Sequence, residues 1–228
     1  MIVRETAGGF LLVEQHEHGL LSGEFARRWR ERPRPYGATV YAVANHDVGW
    51  RKLDRKPLWN REAGRPYSFV DYPLGPRLEA YRRGIDLVEA ESPYAGLLCS
   101  MHYCRFVRGL EEAADFVAAE ERRQERLRRA LSGEELAGIS RNFLLLRLCD
   151  GLSLFVCLNE PGRNEHPWYR EGFRFRGERL RPLWEDRRTL RLEPNPFREP
   201  FELRLPYRLV DREGREVGGG AFELRVSC

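Results

Sequence analysis

The stretch Val43-Ala44-Asn45-His46-Asp47-Val48-Gly49-Trp50 closes an apolar helical run with an adjacent His-Asp pair, and Arg51 and Lys52 follow it. Neighbouring side chains on a helix point about 100° apart, so His46 and Asp47 both reach one ion bound at the helix flank. An isolated His-Asp pair carries little information. This pair gains weight from a histidine upstream and an aspartate downstream in similarly apolar settings.

Upstream, residues 15–30 read as a helix on which His18, Leu21, Phe25 and Trp29 form one stripe. His16 lies about 160° around the same helix and reads as a surface or capping residue. Residues 38–48 form the second helix, ending at the doublet. Residues 51–76 then read as a long Pro-, Gly- and aromatic-rich segment placed to wall or cover a pocket. Further helices are expected over 76–90, 94–107 and 110–131. Ser92-Pro93 is the start signal of the second of these, and Leu98, His102 and Phe106 lie along it. Residues 132–158 open with the capping-box pattern Ser132-Gly133-Glu134-Glu135 and are apolar almost all round, as in a central helix. Asp150 sits within that apolar run. A carboxylate there needs a cation, a hydrogen-bond network or a proton. Arg147, one turn back, offers an ion pair as the plain structural alternative.

The chain therefore divides into a β-hairpin (1–14), a helical domain (15–160) and a β-rich C-terminal extension (161–228). Its fold class reads as mainly α: a helical bundle with a small antiparallel β appendage built from the C-terminal strands, which the N-terminal hairpin is free to join. The appendage strands are expected at 173–175, 189–192, 202–205, 208–210 and 221–226. Pro194-Asn195-Pro196, Asp211-Arg212-Glu213-Gly214 and Gly218-Gly219-Gly220 read as turns between them.

Composition narrows the classes. The 228 residues are 42% hydrophobic and 11% aromatic, enough for a packed core. A net charge of +4 is too mild to argue for nucleic acid. Arginine so dominates the basic residues that a single one says little. The five cysteines form no CxxC pair and read as buried thiols. With no signal peptide pattern and no bilayer-length apolar run, the chain is expected to be cytoplasmic and free of the membrane. Phosphate loops, dinucleotide-binding glycines and nucleophile elbows are absent.

His18, His46, Asp47, His102 and Asp150 are the candidate metal ligands. Imidazole with carboxylate suits a divalent ion such as zinc, manganese or iron. Arg51, Lys52 and Arg105 are the candidate phosphate-binding cations, and Asp47 could both ligate the ion and orient a water.

This arrangement resembles the HD-domain superfamily of metal-dependent phosphohydrolases. His18 matches its early histidine, Ala44-Asn45-His46-Asp47-Val48-Gly49 its doublet, and Cys149-Asp150-Gly151-Leu152-Ser153 its closing motif. The resemblance covers about residues 15–158. The whole chain, with Gln15-His16-Glu17-His18, also resembles an uncharacterised bacterial family related to that superfamily. Trp50 replaces the lysine common after the doublet, and His102 is the one histidine between Asp47 and Asp150. The resemblance implies an HD-like bundle, a divalent metal (zinc, manganese, iron or magnesium) and hydrolysis of a phosphoester or nucleotide. The small phosphorylated molecule would be the partner, and the β-rich tail leaves room for a homo-oligomer. Two alternatives follow from the same resemblance: a non-catalytic metal- or ligand-binding protein with a relict site, and a di-iron oxygenase.

Overall fold

The computed structural model describes residues 1–228. Ile2–Thr6 (β1) and Gly9–Val13 (β2) form the N-terminal hairpin, with Ile2 opposite Val13 and Thr6 opposite Gly9. Seven helices follow: Gln15–Arg28 (α1), Tyr36–Asn45 (α2), Arg51–Asp54 (α3), Leu74–Glu91 (α4), Pro93–Val107 (α5), Ala114–Ala130 (α6) and Gly133–Leu158 (α7). Ser92 caps α5 by accepting from the Ala95 N–H. Ser132 and Glu135 complete the expected capping box on α7. Within the segment after α3, Trp59–Asn60 (β3) and Arg65–Pro66 (β4) make a two-residue ladder.

The C-terminal part adds Phe173–Phe175 (β5), Glu178–Trp184 (β6), Thr189–Glu193 (β7), Phe201–Val210 (β8) and Glu216–Val226 (β9). With the N-terminal hairpin they form one seven-stranded sheet, ordered β1-β2-β8-β9-β7-β6-β5. The two chain ends meet where Phe10, Leu11 and Leu12 pair antiparallel with Val210, Leu209 and Arg208. Only β7 and β9 run parallel. The sheet curls into a half-barrel beside the helices.

This corrects the expected fold class. The chain is 50% helix and 23% strand with a large curled sheet, not a mainly α, HD-like bundle with a small β appendage. The signals misread as breaks explain the difference. Pro206 sits inside β8, opposite Ala221, so two short expected strands are one. Gly218-Gly219-Gly220 is strand interior, not a turn. Tyr207 lies across it: a Cβ on Gly219 would stand 2.8 Å from the Tyr207 carbonyl oxygen, and one on Gly220 3.0 Å from its hydroxyl. Strand β6, absent from the sequence reading, alternates arginine with buried Leu180 and Pro182.

Helices and sheet share a core of 46 buried residues, in which Leu190, Leu203, Leu205 and Val226 of the sheet pack with Phe25, Leu145 and Leu152 of the helices. No helix is long and apolar enough to cross a membrane.

Candidate metal centre

The stripe on α1 buries His18, Leu21, Phe25 and Trp29 together. Two glycines let this helix lie almost against α2. A Cβ on Gly23 would fall 2.6 Å from the Ala44 Cβ, and one on Gly19 would fall 3.0 Å from the Ala44 carbonyl oxygen. That approach brings His18 to His46. Helix α2 ends at Asn45, before the doublet, so His46 and Asp47 stand on the turn that follows. Asp47 has left helical geometry (φ −108°, ψ 15°), and a 3-10 turn over Val48–Trp50 comes next. Helix α7 supplies Asp150 and Ser153, and α5 supplies His102, Tyr103 and Arg105.

Four ligand atoms converge: Nε2 of His18 and His46, Oδ2 of Asp47 and Oδ1 of Asp150. The two imidazole nitrogens are 3.2 Å apart, and each lies 3.3–3.6 Å from both carboxylate oxygens. Ligands of one ion with bonds of about 2.0–2.2 Å stand about 3.3–3.6 Å apart, and the two imidazole nitrogens have that spacing, to within about 0.1 Å, with either carboxylate oxygen.

Hydrogen bonds fix the chemistry of these atoms. His46 Nδ1 lies 2.7 Å from the Val43 carbonyl oxygen, which only accepts, so Nδ1 carries a proton. Ser153 spends its hydroxyl proton on the His18 carbonyl oxygen (2.7 Å) and therefore accepts from His18 Nδ1, also at 2.7 Å. In the neutral rings both Nε2 lone pairs then face each other. A proton on one of them or a cation between them removes the repulsion. One proton still leaves two buried carboxylates with a net negative charge, whereas a divalent ion neutralises both.

Outer contacts hold the ligands. Gln15 donates to Asp47 Oδ2 and Tyr103 to Asp47 Oδ1, both at 2.9 Å. Asp54 in turn accepts from the Gln15 backbone N–H at 2.6 Å. Such partners orient ligands and tune their basicity.

The charges are strongly coupled. Burial opposes a charge on His46, yet Asp47 and the contacts to Asp150 raise its pKa to about 9. Burial raises Asp47, only partly offset by the two histidines. Asp150 is also opposed by burial, but hydrogen bonds from His18 and His46 hold it well below the usual carboxylate range.

His102 stands at the edge of this group. Its Nε2 is 3.9 Å from Asp150 Oδ2, its Nδ1 is buried without a partner, and burial keeps its pKa well below the ordinary histidine value. With His46 and Asp150 it offers a second set of ligand atoms lying within 4.8 Å of one another. Asp150 does not pair with Arg147, which packs over Phe143; its cationic neighbour is Arg105 at 3.5 Å.

The site opens into a pocket of about 630 Å³. Arg77, Arg105 and Arg147 face it, as do Trp50, Tyr81 and Tyr103. Phe69 and Val70 from the segment after α3 and Trp168 from beyond α7 complete its mouth. The long segment thus does wall the pocket. Of the expected phosphate-binding cations, Arg105 lines the pocket; Arg51 and Lys52 are exposed on α3 and are not among its lining residues. Sequence reading missed Gln15, Arg77 and the ligand-orienting role of Ser153. Only the adjacency of Gln15 and Ser153 to motif residues hinted at them.

A family described as a protein of unknown function (DUF3891) matches residues 1–212. No curated protein and no solved structure matches the chain. The match and the seven-stranded curled sheet together overturn the HD-domain resemblance. The chain belongs to the DUF3891 family.

Proposed function

We propose that the chain is a metal-dependent hydrolase of a phosphoester, working at His18, His46, Asp47 and Asp150. The observation that supports this most is the facing pair of imidazole Nε2 atoms, 3.2 Å apart, between two buried carboxylates. A divalent ion held there would polarise a phosphoryl oxygen and lower the pKa of a bound water toward neutrality. Zinc, manganese and iron suit a mixed imidazole and carboxylate set better than magnesium, which prefers oxygen ligands and keeps its waters.

The chain's own residues supply the rest. Gln15 and Tyr103 fix Asp47, and Ser153 fixes the ring of His18. Arg105 reaches toward the site from the pocket wall. With Arg77 and Arg147 it gives the pocket a positive lining that matches phosphoryl oxygens through planar, two-pronged donors. Trp50, Tyr81 and Tyr103 form apolar walls beside the ligands. Five free cysteines, four of them buried, suit a reducing compartment, and we place the reaction in the cytoplasm.

Metal content by mass spectrometry, with phosphate release from p-nitrophenyl phosphate, tests this reading. The expected result is stoichiometric metal and turnover, both lost in His46→Ala. Retained metal without turnover on any phosphoester would make the chain a metal-binding protein. No metal after loading with zinc, manganese or iron would sink the site itself.

A further inference from the structure

The rim of the pocket is unusual for this surface. Val70 is 55% exposed, Phe106 47% and Trp168 54%, and all three border the same mouth. They come from three separate parts of the chain: the segment before α4, helix α5 and the turn after α7. Phe69, Leu154 and Phe173 lie just inside them. Phe69 and Trp168 already touch edge to face across the opening, 6.3 Å between ring centres. Single exposed apolar residues are ordinary, but a ring of them around one concave site marks a binding surface.

The polar lining is equally specific. No Ser, Thr, Asn, Glu or Lys side chain faces the pocket. Gln15 Nε2 and the Tyr103 hydroxyl are already committed to Asp47. Tyr81 is buried and stacks on Tyr103 with ring centres 4.0 Å apart, and Tyr169 is also buried. Beyond the ligand cluster, the charged groups are guanidinia, which recognise anions. A nucleoside base and ribose present many donors and acceptors, and sites that read them commit side-chain hydrogen bonds to do so. Outside its three guanidinia and His102, this pocket offers only the hydroxyls of two buried tyrosines and the indole N–H groups of Trp50 and Trp168.

We propose that the substrate is a phosphomonoester whose organic half is apolar, an aryl or long alkyl group, and not a nucleotide. This rests on the hydrolase reading of the metal site. The anionic end meets Arg105 and the ligand cluster, while the apolar half lies against Phe106, Val70 and Trp168. In the reaction, water adds to phosphorus, the P–O bond to the organic group breaks, and the alcohol leaves with a proton from water, giving free phosphate.

The test compares kcat/KM for methyl, n-octyl and 2-(1-naphthyl)ethyl phosphate, alkyl esters of similar leaving-group acidity, with that for AMP and UMP on the metal-loaded protein. Binding of methylphosphonate and 1-naphthylmethylphosphonate is measured in parallel by calorimetry. The expected result is a rise of tenfold or more from methyl to naphthylethyl phosphate, with both nucleotides below naphthylethyl. Trp168→Ala should lower the naphthylethyl value and shrink that rise. A flat series, or nucleotides preferred, would overturn the substrate inference while the metal hydrolase stood. If no ester is turned over, the hydrolase reading fails and the phosphonates decide the pocket's preference. Naphthylmethylphosphonate bound at least tenfold tighter supports an apolar anion site, and equal binding overturns it.

Discussion

Gly49 lies in such close contact with Ala80 that a Cβ on it would stand 2.0 Å from the Ala80 carbonyl oxygen. Gly84, one turn further along α4, is also within reach: a Cβ on Gly49 would fall 2.8 Å from its backbone nitrogen. Helix α4 therefore rests on the turn that carries His46 and Asp47, and the absence of a side chain at residue 49 sets that distance. Gly49→Ala forces the helix and the turn apart. Overpacking of this kind costs about 1–3 kcal/mol, or roughly 2–12 °C in melting temperature for a chain of this size. Because the turn holds two ligands, metal affinity should fall with stability. Calorimetry and metal titration of the variant measure both. An unchanged melting temperature would show that the contact yields freely.

Ser153 lies outside the ligand set, yet it decides which nitrogen of His18 is free. Its hydroxyl bridges His18 Nδ1 and the His18 carbonyl oxygen. Ser153→Ala removes the acceptor and leaves a buried N–H unpaired, which costs about 1–3 kcal/mol. Loss of such an orienting partner lowers metal affinity about 10–100-fold. Equilibrium dialysis against zinc checks this, with Ser22→Ala as the comparison. Ser22 donates to the same carbonyl but does not touch the ring, so its effect on affinity should be small. Equal losses in the two variants would show that the carbonyl contact matters and the tautomer does not.

The site was far more legible than the sheet. His18, Asp150 and the doublet stand out because each is polar in an apolar run, and helical spacing assigns them to inward faces. What periodicity could not supply was the end of α2 at Asn45, which sets His46 and Asp47 on a turn and not on a helix flank. The sheet was read as an appendage because its strands are short, arginine-rich on the open face and interrupted by Pro206 and three glycines. These breaks are filled by long-range partners. Tyr207 covers the glycines, and β2, some two hundred residues away in sequence, pairs with β8. Pairing between chain ends leaves no local signal. The HD-like motifs were local patterns, and the global architecture around them is different.

Leu205 of β8 is fully buried in the core that the sheet shares with the helices. Leu205→Ala should cost about 2–5 kcal/mol, as for other large-to-small core changes. With one shared core, the helical signal and the tryptophan fluorescence should fall together in a single transition at lower denaturant. Two separated transitions, with the helices melting last and unaffected by the change, would show the sheet to be an independent unit.

Protons and metal compete for the same nitrogens. In the metal-free protein burial opposes the charge on His46, but Asp47 and Asp150 raise its pKa from 6.5 to about 9. A group whose pKa is raised by folding stabilises the protein fully below its unfolded value. That contribution fades as pH rises through its folded value. The metal-free melting temperature should therefore decline between pH 6.5 and 9 as the proton leaves and the Nε2 atoms of His18 and His46 face each other as lone pairs. An ion must displace that proton, so metal affinity should fall about tenfold for each pH unit below 9, with about one proton released per ion bound. Calorimetric titration with zinc in buffers of different ionisation enthalpy counts the protons. Melting curves over the same pH range should show the decline in the metal-free protein and its loss after loading. Zero proton release at pH 7 would mean that His46 is already neutral there, and that the carboxylates alone do not hold a proton on the ring.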